Sequence, residues 1–578
     1  MTTLSLNRDG SFARPDRGTF GGRVLAFAEG GHGRAAFLLV LVCLACFLPG
    51  FVSLQPMDRD EPRYAQATKQ MLETGDFVDI RFQEEARHKK PVGIYWMQAA
   101  TVSAADALGL AEARTTIAAY RVPSLLGAIA ATLLTYWAAL ALARRREAFL
   151  AAALVGASVI LMVEARLAKT DAMLLACCVA TMGALARAWL ARGAVRLPTA
   201  VFLAFWIGIG VGVLVKGPLV LLFAGLPAIM LSLHERSARW LGALRPLPGV
   251  ALALAIAAPW FVMIALRSGA DFFAASAGQD LLGKVGTAQT YHWAPPGFYL
   301  LAFFATFWPG ALMAAIGAEF AWINRRAREA AFLVAWVVPA WIVLELVPTK
   351  LPHYTMPLYP ALAIAAALGI GRGFVGPYRR RFRLFGFLLA LVPVGLLVGL
   401  PIAAWTLGDR LGVPALVALA VAAAIGLVAW RLWAKARVED SALAGVASAV
   451  VLSIAVFGLA QKDLSALKLS PSLAAAAERA TSCPDPRVGT LGYREPSLVF
   501  LAGTDLAMLD GPVAAARFLG DGDCHVVLVT EAFEVGFGQA LAQAGLAAVQ
   551  AERVLGFNIN GGDPMGIGVY TLAGEGAR

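Results

Sequence analysis

The sequence predicts a polytopic α-helical membrane protein of about thirteen transmembrane helices, closed by a small α/β domain outside the cytoplasm. Three observations carry that reading. Hydrophobic residues fill 59% of the 578 positions and charged residues only 15%, with a mean hydropathy of +0.69, whereas soluble chains are about 25% charged. Apolar runs of roughly 20 residues recur, the length needed to cross a hydrocarbon core about 30 Å thick. Charge is also divided: residues 471–578 hold 6 Arg and no Lys against 12 acidic residues, a net of −6, while the first 470 carry +17 and the whole chain +11.

From the N-terminus, residues 1–33 are polar, glycine-rich and arginine-bearing, and are expected to form a cytoplasmic tail. No cleavable signal peptide is evident, so the apolar run that starts near Ala35 reads as a retained span. Spans are expected near 35–52, 117–143, 147–165, 171–190, 199–215, 217–233, 248–266, 298–322, 331–347, 354–372, 384–406, 412–430 and 443–460, within a membrane domain over 34–466. Every even-numbered span ends in at least three basic residues, as in Arg144-Arg145-Arg146, Arg236/Arg239/Arg245 and Arg325/Arg326/Arg328. The opposite short loops hold one or two. The positive-inside rule therefore places the N-terminus in the cytoplasm and the C-terminus outside. The same clustering between apolar spans excludes a nucleic-acid partner, despite a pI near 9.5.

Two soluble pieces are expected outside: the first loop, 53–116, and the segment 467–578. In the latter, SLAAAAERA, PVAAARFLG and FGQALAQAGL read as helices, and RVGTLGY, SLVFLAG, HVVLVT and GIGVYTL as short buried strands. Cys43, Cys46, Cys177 and Cys178 fall in apolar spans and read as small core residues. Cys483 and Cys524 lie in the exported segment, each ahead of a predicted strand, and are expected to form a disulfide.

Ionisable residues near membrane depth are costly and mark function. After span 1 come Asp58, Asp60 and Glu61, followed by Arg63 and Tyr64; later in the loop come Arg87, His88, Lys89 and Lys90. The junction of spans 3 and 4 carries Glu164, Arg166, Lys169 and Asp171. Lys216 stands between two apolar spans, Lys284 and His292 between spans 7 and 8, and Glu345, Lys350, His353 and Tyr354 between spans 9 and 10. All are placed on the outer side. Cations of this kind hold a phosphate and stabilise leaving-group charge, and a carboxylate orients or deprotonates an acceptor. Exported space lacks nucleotide sugars, so a transferase there must draw on a lipid-borne donor. Several of these residues also have a plainer reading. Asp58 and Asp60 suit helix capping, Lys89 and Lys90 a headgroup patch, Asp171 an ion pair with Arg166 or Lys169, Lys216 a snorkelling end, and His292 an aromatic belt.

The stretches DRDEPRYAQATKQMLETGDFV, RHKKPVGIYW, ARLAKTDAMLL, LVKGPL and TKLPHYTMPLYPALA resemble, in order and placement over roughly 35–375, the bacterial lipid A 4-amino-4-deoxy-L-arabinose transferase family. That family belongs to the protein O-mannosyltransferase-like superfamily. The resemblance implies a C-type glycosyltransferase fold and inverting transfer from an undecaprenyl-phosphate sugar at the outer face of the bacterial inner membrane. It matches Asp60, Asp171, Lys90, Lys216 and Tyr354 to family motif positions. Lys89 departs from the acidic residue that often precedes Lys-Pro in the family.

The resulting expectation is a glycosyltransferase with lipid A or a related envelope glycolipid as acceptor. Transfer of another sugar, such as a uronic acid or hexose, or glycosylation of protein, is the alternative within the class. A transporter or flippase of polyprenyl-linked sugars is the alternative outside it, disfavoured because no internal repeat is evident. Catalytic residues are expected at Asp60, Glu61 and Asp171. Substrate-binding residues are expected at Asp58, Arg63, Tyr64, Arg87, His88, Lys90, Arg166, Lys169, Lys216, His292, Lys350, His353 and Tyr354. No cofactor is demanded, and the carboxylates leave room for a divalent metal ion. The chain is expected to be a monomer in the bilayer.

Overall fold

A computed structural model describes residues 18–57, 60–192, 197–276, 278, 283, 293–374, 380–522 and 524–573. Among these, nine helices are long and apolar enough to cross a membrane, from Ile117–Ala139 to Val438–Asp463. Helices suit the bilayer because each satisfies its own backbone hydrogen bonds. Two shorter apolar helices, His32–Phe47 and Leu219–Glu235, coincide with the first and sixth expected runs.

Two runs expected to be continuous are broken. The run 147–165 divides into Arg145–Gly156 and Val159–Glu164, and Val159 N–H donates to the Trp308 carbonyl at 3.1 Å instead of to its own helix. The run 298–322 divides into Phe298–Thr306 and Ala311–Ile323, bent by 119° around Trp308-Pro309. Proline there removes a backbone donor, so the bend falls where the sequence cannot continue a helix. The second helix of the N-terminal region is also preceded by an ordered one: Phe20–Glu29, capped by Thr19 and packed through Leu25 and Ala28, occupies the end of the expected tail.

Helix Asp171–Leu190 is the centre of the membrane part. It packs on Ile117–Ala139 so closely that a Cβ on Gly127 would stand 2.8 Å from the Met173 backbone nitrogen. Small residues at such crossings let backbones approach without any hydrophobic drive between helices. The consequence is a fixed position for Asp171, the first residue of that helix.

The first loop folds into helix Asp60–Thr74, a hairpin of β1 (Arg81–Phe82) and β2 (Glu85–Ala86), and helix Gly93–Ala107. The C-terminal segment forms a five-stranded sheet ordered β4-β3-β5-β7-β6, with β3 Arg487–Leu491, β4 Ala507–Met508, β5 His525–Thr530, β6 Ala548–Asn558 and β7 Asp563–Leu572. β3 runs parallel to β4 and β5, and β7 antiparallel to β5. SLVFLAG is a helix, Pro496–Ala502, and not the expected strand: Pro496 opens it and Gly503 ends it at φ +131°. β6 was not anticipated, because AVQAERVLGFN mixes charged and apolar residues without a clean two-residue alternation. Cys483 and Cys524 are bonded, with Cα atoms 5.9 Å apart, joining the approaches to β3 and β5.

Candidate active site

The segment between Val159–Glu164 and Asp171–Leu190 is held from three sides before any ligand is considered. Ala168 N–H donates to the Glu61 carboxylate at 2.9 Å, Gln98 donates to the Ala168 carbonyl at 3.1 Å, and Ser124 donates to the Lys169 carbonyl at 3.0 Å. These bonds aim the side chains of Glu164, Lys169 and Asp171 into one buried space. Lys216, the last residue of Thr199–Lys216, hydrogen-bonds to the Asp171 carboxylate. Lys169 Nζ stands 3.5 Å from Glu164. His353 lies between the two acids, Nδ1 3.5 Å from Glu164 and Nε2 3.5 Å from Asp171. Tyr354 packs edge-on against the His353 ring at 5.0 Å and lies 5.7 Å from Lys216 Nζ.

Asp171 heads its helix, where the dipole favours negative charge, and Asp60 heads the helix Asp60–Thr74 in the same way. Asp60 is exposed at the edge of the cluster and interacts electrostatically with Tyr64, Arg87 and His353. Tyr64 lies under the Arg87 guanidinium at 4.9 Å and beside Tyr95 at 5.3 Å. Burial, with Tyr95 and Asp60 nearby, raises the Tyr64 hydroxyl well above its ordinary value, so it stays protonated as a donor. Arg63 is half-buried one residue earlier. Lys89, Lys90 and Lys216 line a groove of about 190 Å³ whose walls include Phe261, Phe272 and Phe273. Three lysines in the lining of an aromatic groove suit a phosphate on an apolar chain.

Four expected site residues are turned to other work. Glu61 is fully buried, and its carboxylate takes Arg121 Nε at 2.7 Å and Nη2 at 3.0 Å, besides the N–H groups of Met57 and Ala168. Arg121 spends its remaining donors on the carbonyls of Phe51, Leu54 and Gln55. Glu61 is thus a staple beneath Asp60, not a group that meets substrate. Arg166, also fully buried, donates to the carbonyls of Pro49, Met162 and Cys46 and to Ser453, and stacks 4.1 Å from the Phe457 ring. Lys350 donates to the carbonyls of Glu345 at 2.9 Å and Val347 at 2.6 Å, so it caps the C-terminus of Arg328–Leu346, where a cation also suits the dipole. His88 is bound to Asp79 at 2.8 Å and packs against Phe272 behind the groove. Asp58 and His292 lie outside the described residues.

Glu164, Asp171 and His353 offer three donor atoms within 4.8 Å of one another, the spacing of a metal site. Their chemistry does not fit a resident divalent ion. Lys216 already bonds Asp171, and Lys169 faces Glu164, so two ammonium groups stand where the cation's charge would go. A metal there would have to displace both.

Residues 34–267 match the family model of dolichyl-phosphate-mannose-protein mannosyltransferases. Over 314 residues the chain is 29% identical to an undecaprenyl phosphate-alpha-4-amino-4-deoxy-L-arabinose arabinosyl transferase of Erwinia tasmaniensis, covering 53% of this chain and 54% of that one. Over 311 residues it is 31% identical to the Pseudomonas aeruginosa PAO1 protein of the same name, again covering 53% and 54%. The chain therefore spans about half the length of the curated relatives it matches. Its fold is similar to the crystal structure of ArnT from Cupriavidus metallidurans bound to undecaprenyl phosphate, with a TM-score of 0.68 at 20% identity over 93% of this chain and 98% of that one. It is also similar to the archaeal oligosaccharyltransferase AglB from Archaeoglobus fulgidus, with a TM-score of 0.50 at 12% identity over 94% and 74%.

Proposed function

For a multi-pass membrane chain that has the C-type glycosyltransferase fold and is similar over 314 residues to an aminoarabinose transferase, we propose transfer of a sugar from an undecaprenyl-phosphate-linked donor to lipid A or a related envelope acceptor. The reading includes thirteen crossings, a cytoplasmic N-terminus, and a periplasmic first loop and C-terminal domain over 467–578. The observation that carries it is the continuity of the buried Asp171–Lys216–His353–Glu164–Lys169 cluster with the lysine-rimmed aromatic groove. Lys216 belongs to both.

In this reading the polyprenyl chain enters the groove from the bilayer and Lys90 and Lys216 hold its phosphate. The bond between the anomeric carbon and the phosphate oxygen breaks, and the pair of electrons leaves with the phosphate, neutralised by those lysines. The acceptor oxygen attacks from the opposite face, which inverts the centre. Asp60 takes the proton when the acceptor is a hydroxyl; when it is a phosphate, already ionised, Asp60 orients it or the sugar. Asp171 holds Lys216 in place and His353 fills the space between the two buried acids. Protein O-glycosylation is the second reading, favoured by the family model over 34–267.

The test is reconstitution of the full chain with undecaprenyl-phosphate aminoarabinose and lipid A, followed by mass spectrometry. A lipid A species heavier by one aminoarabinose is expected. Donor turnover with sugar recovered only on protein would move the conclusion to the second reading; no donor turnover would overturn both.

A further inference from the structure

We propose that a second apolar cavity, at the outer end of the last span, holds a fatty-acyl chain of the acceptor glycolipid. This rests on the transferase reading and names the acceptor class as acylated lipid. The cavity measures about 330 Å³, within the usual range for a small-molecule site. Its wall is almost wholly apolar: Leu54, Val163, Leu167, Val456, Phe457 and Leu464 line it.

The wall is built rather than incidental. The last span is α-helical over Val438–Ser453 and becomes a π-helix over Ile454–Ala460, the stretch that supplies Val456, Phe457 and Ala460. π-turns inside helices are rare and recur at functional sites. Gly50, at φ +77°, lets the end of the first span press against this turn; a Cβ there would run into the Phe457 carbonyl. Arg166 closes the back, stacked on Phe457 and donating to three backbone carbonyls and Ser453, so this buried cation in the wall is held by protein.

Position points to the acceptor. The cavity shares no lining residue with the lysine-rimmed groove and is formed by different spans. Yet Met57, in its wall, comes three residues before Asp60, and Val163 and Leu167 flank Glu164. One segment thus offers a carboxylate to the cluster and apolar side chains to the cavity. A chain seated here would leave its headgroup beside the acids, on a different approach from the donor. The rim suits a phosphorylated headgroup: Lys468 lines it, bonded to the carbonyl of exposed Lys462, with Gln461 alongside. Gln55 Oε1 is buried at this cavity with no partner among the described residues, an acceptor for a hydroxyl or amide on the lipid.

The experiment uses the full chain in nanodiscs with undecaprenyl-phosphate aminoarabinose as donor, and lipid A or its fully deacylated disaccharide as acceptor. Val456→Trp and Leu464→Trp each fill the cavity from partly exposed positions. KM for lipid A is expected to rise at least about tenfold, the factor that loss of about two buried methylenes produces. KM for the donor, and rates with the deacylated acceptor, should match wild type. An unchanged KM for lipid A in both folded variants, or a raised donor KM instead, overturns the proposal. In the wild-type protein, lipid A carrying a diazirine on an acyl chain should label residues within 454–468; labelling confined to other spans overturns it without any variant. Wild-type protein that consumes donor but never modifies lipid A overturns the acceptor reading itself.

Discussion

Asp60 heads a helix, and that makes its two roles separable. Asn has nearly the shape of Asp, so Asp60→Asn keeps the first turn of the helix and removes the charge. Folding should survive while turnover falls roughly 10²–10⁴-fold if Asp60 is a general base; near-wild-type transfer by a monodisperse Asp60→Asn protein would remove it from the mechanism. The lysines divide similarly. Lys216 and Lys350 look alike in the sequence, each a lone cation at an outer span end, and both were expected at the donor phosphate. Lys216 lies on Asp171 and in the groove, whereas Lys350 is spent on the carbonyls of its own helix end. Lys216→Ala should weaken donor binding by roughly 1.5–3 kcal/mol, while Lys350→Ala should lower the melting temperature with donor affinity intact, both read by titration and thermal shift. The two ammonium groups facing Glu164 and Asp171 carry a further expectation: chelation with EDTA should leave the transfer rate unchanged, and a loss restored by one divalent metal would refute the assignment of positive charge to Lys169 and Lys216. What the sequence made legible at this scale was cost. An ion near membrane depth must have a purpose, which singled out Asp171, Lys216 and His353, which the structure brings together, and equally Glu61 and Arg166, which it ties up in protein contacts. It could not show the partner. Arg121, 60 residues from Glu61 and inside an apolar run, left no local sign that it would absorb that carboxylate.

The helix Asp60–Thr74 is gripped from above by the C-terminal domain. Phe500, fully buried, inserts edge-on against Tyr120 at 5.4 Å, in a cluster with Ala65, Val102, Ile117 and Ala168. Polar contacts surround it: Gln66 donates to Thr504 at 2.7 Å, Thr504 to Glu73 at 2.7 Å, and Gln83 to the carbonyls of Thr504 and Leu506. Ala168 belongs to the segment that aims Asp171, so the domain bears on both acidic positions at once. Phe500→Ala should cost about 3–5 kcal/mol of this packing. The expected result is earlier proteolysis near 464–468 and faster amide exchange over 60–74, while exchange in Asp171–Leu190 stays slow. An unchanged exchange pattern would show that the domain does not brace that helix. Phe500 also explains a misread element. SLVFLAG has the apolar run of a strand, and the signals that distinguish the two lie at its ends, Pro496 and Gly503, and in the docking of Phe500 onto the loop. Periodicity over seven residues does not separate them.

Across the whole molecule, the thirteen apolar runs all fall on helices, and what local hydropathy missed were the breaks, at Ala157-Ser158 and at Trp308-Pro309. Those breaks depend on neighbours: a carbonyl from Trp308 receives the Val159 N–H, so each interruption is satisfied by the other. Sidedness is a separate matter, because helix packing has no preferred direction across a bilayer; only the arginine distribution assigns one. The first loop, the acidic cluster, the groove and the C-terminal domain are joined by direct contacts, so they share one side whichever side that is. Arginines 144–146 lie at the other end of Ile117–Ala139. An introduced cysteine at exposed Arg145 should therefore react only with a membrane-permeant maleimide in intact cells, and one at exposed Glu84 with an impermeant reagent as well. The reverse pattern would place the site in the cytoplasm, where nucleotide sugars are plentiful. The argument from a lipid-borne donor would then fall together with the orientation, although every contact in the cluster would remain.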